Sequence, residues 1–116
     1  MQYMLLIYND EAEVQKTAGK PEMNERIAAY GAYTQALQQA GVLLGSNRLK
    51  FSNSASTVRV ANGKTQVLDG PYAEAKEQLG GYFMIEVPDL DAALSWAARC
   101  PGASHGVMEI RPIWQM

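Results

Sequence analysis

The chain has 116 residues, a formal net charge of −2 at pH 7 and a hydrophobic content of 47 %. This length suits one domain, residues 1–116, that buries enough surface to fold without disulfides or metals. The composition excludes a disordered chain, and without a basic stripe the chain is a poor candidate for binding nucleic acid. Its single cysteine, Cys100, excludes an internal disulfide and is typical of a cytoplasmic protein.

The first third of the chain predicts a strand, a helix and a second strand. The apolar run from Tyr3 to Tyr8 is typical of a strand buried on both faces. It is too short to span a membrane and lacks the basic residues that precede a signal sequence. Pro21 suits the start of a helix and Gly41 suits its end. The predicted elements are a strand at 3–8, a polar loop at 10–20, a helix at 22–40 and a strand at 42–50.

The rest of the chain predicts a hairpin, a strand, a short helix and a last strand. Asn62-Gly63 is a strong hairpin signal, because both residues of the turn must tolerate positive φ. Asp89 is a good N-cap for a helix that ends near Arg99, before Pro101-Gly102. The predicted elements are hairpin strands at 57–60 and 65–68, a strand at 79–87, a helix at 89–99 and a strand at 107–114.

This order predicts an α+β fold of the ferredoxin-like type, with an extra hairpin between its halves. Right-handed crossovers place both helices on one face of a single antiparallel sheet. The other face then stays bare, and a bare face with apolar residues usually marks an interface. We therefore predict a homodimer, in which a second sheet closes over this face to form a dimeric α+β barrel.

The bare face of the predicted sheet carries charge as well as apolar side chains. Residues alternate between the two faces of a strand. Met108 and Ile110 should accordingly meet the helices, whereas Glu86, Glu109 and Arg111 should point into the barrel. Packing alone does not require charged groups there, so the bare face is a candidate binding site.

The segment from Asp69 to Tyr82, DGPYAEAKEQLGGY, resembles the signature of the YCII-related, or DGPF-domain, family, with Tyr72 in place of the phenylalanine. The start YMLLIY, the segment GVLL at 41–44 and the ending EIRP at 109–112 resemble it too, so the resemblance covers essentially the whole chain. It implies a dimeric α+β barrel. Some members are encoded beside sigma factors, which makes a sigma factor a candidate partner. Some members also carry a His-Asp pair that suggests an enzyme, and that pair is not evident here.

The candidate site residues each have a structural interpretation as well as a functional one. Asp69 either forms a turn with the glycine and proline that follow, or presents a carboxylate over a cavity. Glu74 and Lys76 either form a solvated cluster or line the mouth of the barrel. Arg111 either pairs with a carboxylate across strands or across the dimer, or clamps a ligand anion. We predict Asp69 and Glu109 as catalytic residues. The predicted substrate-binding residues are Arg111, Glu86, Tyr82, Tyr8, Glu74 and Lys76.

The sequence predicts neither a metal nor another cofactor. One histidine and one cysteine are too few for a structural zinc site. The single histidine, His105, is predicted to lie in a solvated loop, which disfavours a haem ligand.

Two functions stay open. The first is a small-molecule-binding protein or cofactor-independent enzyme that takes a small anionic ligand, with proton transfer on an organic acid or carbonyl compound as its chemistry. The alternative is a regulatory or interaction module associated with a sigma factor.

Overall fold

The computed structural model describes residues 1–115 and contains a four-stranded antiparallel sheet with a separate hairpin. The elements are β1 (Gln2–Asp10), α1 (Glu11–Gln15), α2 (Pro21–Gln39), β2 (Leu43–Arg48), β3 (Ser56–Ala61), β4 (Lys64–Asp69), β5 (Glu77–Glu86), α3 (Leu90–Arg99), α4 (Pro101–His105) and β6 (Val107–Pro112). A 3₁₀ turn at Ser52–Ser54 precedes the hairpin β3-β4. The sheet has the order β2-β5-β1-β6, so the ferredoxin-like prediction is confirmed.

The core lies between the sheet and the helices. Alternate residues of β1 and of the segment from β5 to Val87 are buried, and they pack against α2 and α3. The other face of β1, which includes Met4 and Leu6, is only half-buried, so the prediction of a strand buried on both faces is wrong. The reason is that all the helical cover lies on one side. The core residues of the two strand segments are Tyr3, Leu5, Ile7, Phe83, Ile85 and Val87.

Tyr33 joins α2 to the rest of the core. Its ring lies edge-on to that of Phe83, with 5.1 Å between the centroids. Its hydroxyl donates a hydrogen bond of 2.8 Å to the carbonyl oxygen of Trp96 on α3. The buried residues of α2 are Tyr33 and Leu37, both in its C-terminal half. The N-terminal half of α2 therefore stands away from the sheet.

The turn and cap signals in the sequence are confirmed. Asn62 and Gly63 have φ values of 52° and 73°, as the hairpin turn requires. The carboxylate of Asp89 accepts a hydrogen bond of 2.9 Å from the amide of Ala92 at the start of α3. Cys100 follows α3 and is buried, as expected of a small apolar residue, and burial raises the pKa of its thiol.

Two loop predictions are wrong, because each segment carries its own helix-starting signal. Asp10 accepts a hydrogen bond of 3.0 Å from the amide of Ala12 and so caps α1 within the predicted loop at 10–20. Pro101 follows the end of α3 and is also the first residue of α4, since proline suits the first turn of a helix. His105 consequently ends a helix instead of lying in a loop. Within residues 1–115, no helix has the length and apolarity needed to cross a membrane.

Candidate functional site

A cavity of about 290 Å³ lies between the N-terminal half of α2 and the sheet. The sheet contributes Ile7 and Phe83, and α2 contributes Met23, Ile27 and Tyr30. Cavities that bind small molecules are mostly apolar, with a few polar groups that fix the ligand. The cavity exists because the buried residues of α2 all lie in its C-terminal half, so its N-terminal half leaves an opening in front of the buried side chains of Ile7 and Phe83.

Three basic side chains also line the cavity. They are Arg26 on α2, Arg48 at the end of β2 and His105 at the end of α4. None of the lining residues that the structure describes carries a carboxylate, and neither arginine forms an ion pair within residues 1–115. Arg26 is half-buried and Arg48 is exposed. Both guanidiniums keep their charge at physiological pH, so both can pair with an anion that enters the cavity. The cavity is thus suited to a small anionic ligand.

Tyr30 lines the cavity together with the two arginines, and its hydroxyl lies beside α4. Burial, followed by the effect of Cys100, raises the pKa of Tyr30 from 10.0 to about 12, whereas Arg26 and Arg48 both lower it. The hydroxyl therefore keeps its proton at neutral pH, as an ordinary tyrosine does, and can donate a hydrogen bond to a bound anion.

The raised pKa of Tyr30 predicts a loss of stability at alkaline pH. The folded protein holds the phenol proton up to about pH 12, whereas the unfolded chain releases it near pH 10.0. The stabilisation is complete below pH 10 and is lost as the pH rises to 12. Urea unfolding at pH 9 and pH 11 should show a lower free energy of unfolding at pH 11. Tyr30→Phe should reduce this difference without removing it, because burial also raises the pKa of Tyr33. An undiminished difference in Tyr30→Phe would contradict the assignment.

Gly102 allows α4 to approach Tyr30 closely. A Cβ atom at this position would lie 2.9 Å from the phenol oxygen of Tyr30 and 2.9 Å from Cγ2 of Ile7. The close packing fixes the start of α4 against both α2 and β1. It thereby brings His105, three residues later, to the cavity.

Three of the predicted site residues meet on the bare face of the sheet. Tyr8 donates a hydrogen bond of 3.3 Å to the carboxylate of Glu109. Desolvation, and then Glu109, raises the pKa of Tyr8, whereas Arg111 lowers it. Arg111 itself is exposed and forms no ion pair with a carboxylate in the described part of the chain. Pairing of Arg111 within one chain is therefore not seen, and its pairing across a dimer or with a ligand stays a prediction.

The other predicted site residues are spread over the structure. Glu86 lies 3.6 Å from the N-terminal amino group, with which it forms an ion pair. The hydroxyl of Tyr82 accepts a hydrogen bond of 2.9 Å from Asn47, and both residues also line the cavity. Asp69, Glu74 and Lys76 are exposed at the end of β4 and in the segment that follows, and no hydrogen bond joins them to Tyr8, Glu109 or Arg111 within residues 1–115. The structure thus divides the predicted residues among four places.

The model of the YCII-related domain family matches residues 1–116. The chain belongs to this family. An uncharacterized protein of Rhizobium meliloti (strain 1021) is 39 % identical over 97 % of this chain and 92 % of its own length. The structure is similar to that of 5-chloro-2-hydroxyhydroquinone dehydrochlorinase from Burkholderia phenoliruptrix AC1100, solved in complex with 2,5-dihydroxybenzoquinone. The TM-score is 0.56 at 14 % identity, over 99 % of this chain and 94 % of the other. At this identity the likeness shows a shared fold.

The YCII-related signature segment has visible structural roles. Gly70 has a φ of 102°, a conformation that favours glycine, so the turn after Asp69 depends on it. The side-chain amide of Gln78 donates hydrogen bonds of 3.0 Å to the carbonyl oxygens of Ala73 and Ala75, which closes the loop. A Cβ atom at Gly81 would lie 2.8 Å from the carbonyl oxygen of Asn47. Gly81 therefore lets β5 approach β2 beside the cavity.

Sequence reasoning missed most of the polar groups of the cavity. Arg26 and Tyr30 are four residues apart on α2 and so lie on the same face of that helix. That spacing is the one feature of the sequence that indicates that these two polar groups lie together. Arg48 comes from a different element, and the sequence predicts a loop at His105. Within the described residues no cluster of three or more His, Cys, Asp or Glu side chains could hold a metal ion.

Proposed function

We propose that this YCII-related protein binds a small organic anion in the cavity beneath α2. The observation that carries the proposal is the pairing of apolar walls with two arginines that have no carboxylate partner in the described part of the chain. Arg26 and Arg48 supply the charge, Tyr30 supplies a hydrogen-bond donor, and Ile7 and Phe83 contact the apolar part of the ligand. Such a site favours an anion over its neutral isostere, because a guanidinium forms charge-assisted hydrogen bonds.

The size of the cavity limits the ligand. A volume of about 290 Å³ equals that of about ten water molecules in the liquid, which suits a ligand of about ten non-hydrogen atoms. A small aromatic or unsaturated carboxylate, or an acidic hydroxylated ring, has this size. The dehydrochlorinase with the same fold was solved with a compound of that kind, 2,5-dihydroxybenzoquinone, which makes oxygen-rich ring compounds a sensible first set to test.

Isothermal titration with matched ligands tests the proposal. Benzoate and benzamide have nearly the same shape and differ in charge. We expect benzoate to bind at least about tenfold more tightly, since a hydrogen bond to a charged group contributes about 1.5–3 kcal/mol. Equal affinities for the two compounds, or no binding of benzoate and of 2,5-dihydroxybenzoquinone, would contradict the proposal.

We further propose that any reaction of the bound ligand is proton transfer without a cofactor. Histidine is the commonest general acid or base in enzymes, and His105 lines the cavity. The sequence-based candidates, Asp69 and Glu109, lie elsewhere. His105→Gln and Glu109→Gln separate the alternatives: solvent-deuterium exchange into a bound carbonyl acid should stop in the variant that removes the proton carrier and continue in the other.

We also propose that the protein is a homodimer whose bare sheet faces pair. Met4, Leu6 and Met84 lie on this face and are half-buried in the single chain. Covering such residues is the usual reason for association. Light scattering at micromolar concentration should give twice the mass of one chain. A monomer mass over the whole micromolar range would overturn the proposal.

Regulation remains an alternative function. The sigma-factor partner that the family resemblance implies, and the cytoplasmic location that the single cysteine favours, stay predictions. Co-purification with a sigma factor from the source organism, together with failure of every anion tested, would favour the regulatory alternative.

A further inference from the structure

The hairpin β3-β4, residues 56–69, forms a two-stranded ribbon with one apolar face. Val58 pairs with Val67 and Val60 pairs with Thr65, so these four side chains share a face. Val58, Val60 and Val67 are 62 %, 65 % and 60 % exposed, respectively. The opposite face is mainly polar and holds Arg59, Lys64, Gln66 and, as an exception, Leu68. This alternation is typical of a ribbon that is covered on one side.

The single chain does not cover the ribbon. None of its residues belongs to the core, and an isolated two-stranded hairpin is only marginally stable in water. The radius of gyration is 16.1 Å, whereas a compact domain of this length has one of about 13 Å. The ribbon therefore projects from the body as an arm.

The base of the arm is firmly held. The amide of Gly70 donates a hydrogen bond of 2.6 Å to the carbonyl oxygen of Ala55, which closes the two strands. The amide of Ser52, just before the arm, donates a bond of 2.7 Å to the carboxylate of Glu11 on α1. An arm that is anchored in this way has a defined direction and loses little entropy when a partner covers it.

We propose that the valine face of each arm packs on a second copy of this chain, beside the paired sheet faces. This inference rests on the proposed homodimer and names a further part of its interface. The four strands of the sheet have six to ten residues each, and at a spacing of about 4.8 Å they give a flat face of about 500 Å². A stable interface buries about 800 Å² on each partner. The sheet face alone falls short of this area, and the valine face of the arm is an exposed apolar surface that can add to it.

A second copy is the occupant that the chain itself supplies. Within residues 1–115, the valine face of the arm is exposed and the second face of the sheet is only half-buried. In a twofold dimer each copy contributes both surfaces to one closed contact.

The test is a triple variant, Val58→Thr, Val60→Thr and Val67→Thr, with Leu68→Thr as the matched control. Threonine keeps the β-branched shape, and the valines are exposed in the single chain, so each protomer should fold as before. Analytical ultracentrifugation should show a dimer dissociation constant at least about 100-fold higher in the triple variant, because six buried valines become polar in each dimer. Leu68→Thr, on the other face of the arm, should change it less than about threefold.

The outcomes separate the arm from the other proposals. A wild-type dimer whose dissociation constant is the same in the triple variant would overturn the arm contact while leaving the pairing of sheet faces intact. A monomeric wild type would overturn both. Binding of benzoate, measured on the same samples, reports on the cavity independently of either result.

Discussion

Replacing Arg48 with methionine should weaken the binding of benzoate about 100-fold. Arg48 lines the cavity and has no carboxylate partner within residues 1–115. Loss of a charge-assisted hydrogen bond costs about 1.5–3 kcal/mol, and a 100-fold change in affinity corresponds to about 2.7 kcal/mol. Methionine keeps the length and apolar stem of the side chain, so the cavity should keep its shape. Isothermal titration of both proteins measures the effect.

Arg59→Met is the control for this prediction. Arg59 lies on the hairpin, where its guanidinium is 5.7 Å from the centroid of the Tyr72 ring, and it does not line the cavity. The Arg59→Met substitution removes one positive charge from the chain, as Arg48→Met does, but it leaves the cavity unchanged. Benzoate affinity should therefore change less than about twofold, since long-range interactions between exposed charges are screened by salt. Equal losses in Arg48→Met and Arg59→Met would show that net charge, and not the cavity, determines binding.

Gly106→Ala should destabilise the protein by about 3 kcal/mol. A Cβ atom at Gly106 would overlap the carbonyl oxygen of Tyr8, and its neighbours there are backbone atoms of β1, which cannot move aside as a side chain does. Overpacking in a rigid environment costs about 1–3 kcal/mol, and a backbone contact belongs at the upper end. The free energy of unfolding in urea, compared with wild type, gives the measurement.

Gly31→Ala is the matched control, and it should raise the free energy of unfolding in urea instead of lowering it. Gly31 is inside α2, and among residues 1–115 no atom outside its own helix lies within 4 Å of the position of a Cβ atom. Alanine should stabilise the helix by about 0.5–1 kcal/mol, because glycine loses more backbone entropy on folding. If Gly106→Ala proves as stable as Gly31→Ala, then α4 does not approach β1 as closely as the structure describes.

Local signals in the sequence were enough to predict the sheet and its topology. The cap at Asp89 and the turn at Asn62-Gly63 mark boundaries by the geometry of a few residues, so they do not depend on the rest of the fold. The alternation of β6 likewise indicates the face that packs against the core, which holds Met108 and Ile110. The sequence does not predict the short helix α1, because a polar segment of five residues is too short to show the apolar periodicity that indicates a helix.

The cavity depends on distances that no local pattern contains. Met23, Ile27 and Tyr30 follow helical spacing, and that spacing predicts a core face as readily as the lining of a cavity. Only the anchoring of α2 at Tyr33 and Leu37 shows that its other half stands clear of the sheet. Arg48 and His105 reach the same place from elements that are distant in sequence. The predicted residues on the bare face, Tyr8, Glu109 and Arg111, were identifiable because their alternation is local.

A crystal structure of the protein soaked with benzoate tests the central proposal most directly. We expect density for the ring between Phe83 and α2, with the carboxylate within hydrogen-bonding distance of Arg48 and of the Tyr30 hydroxyl. The Arg48→Met crystal, soaked in the same way, should show an empty cavity. Density beside Arg111 on the bare face of the sheet, with none in the cavity of the wild-type protein, would contradict the proposal and favour the site predicted from the sequence.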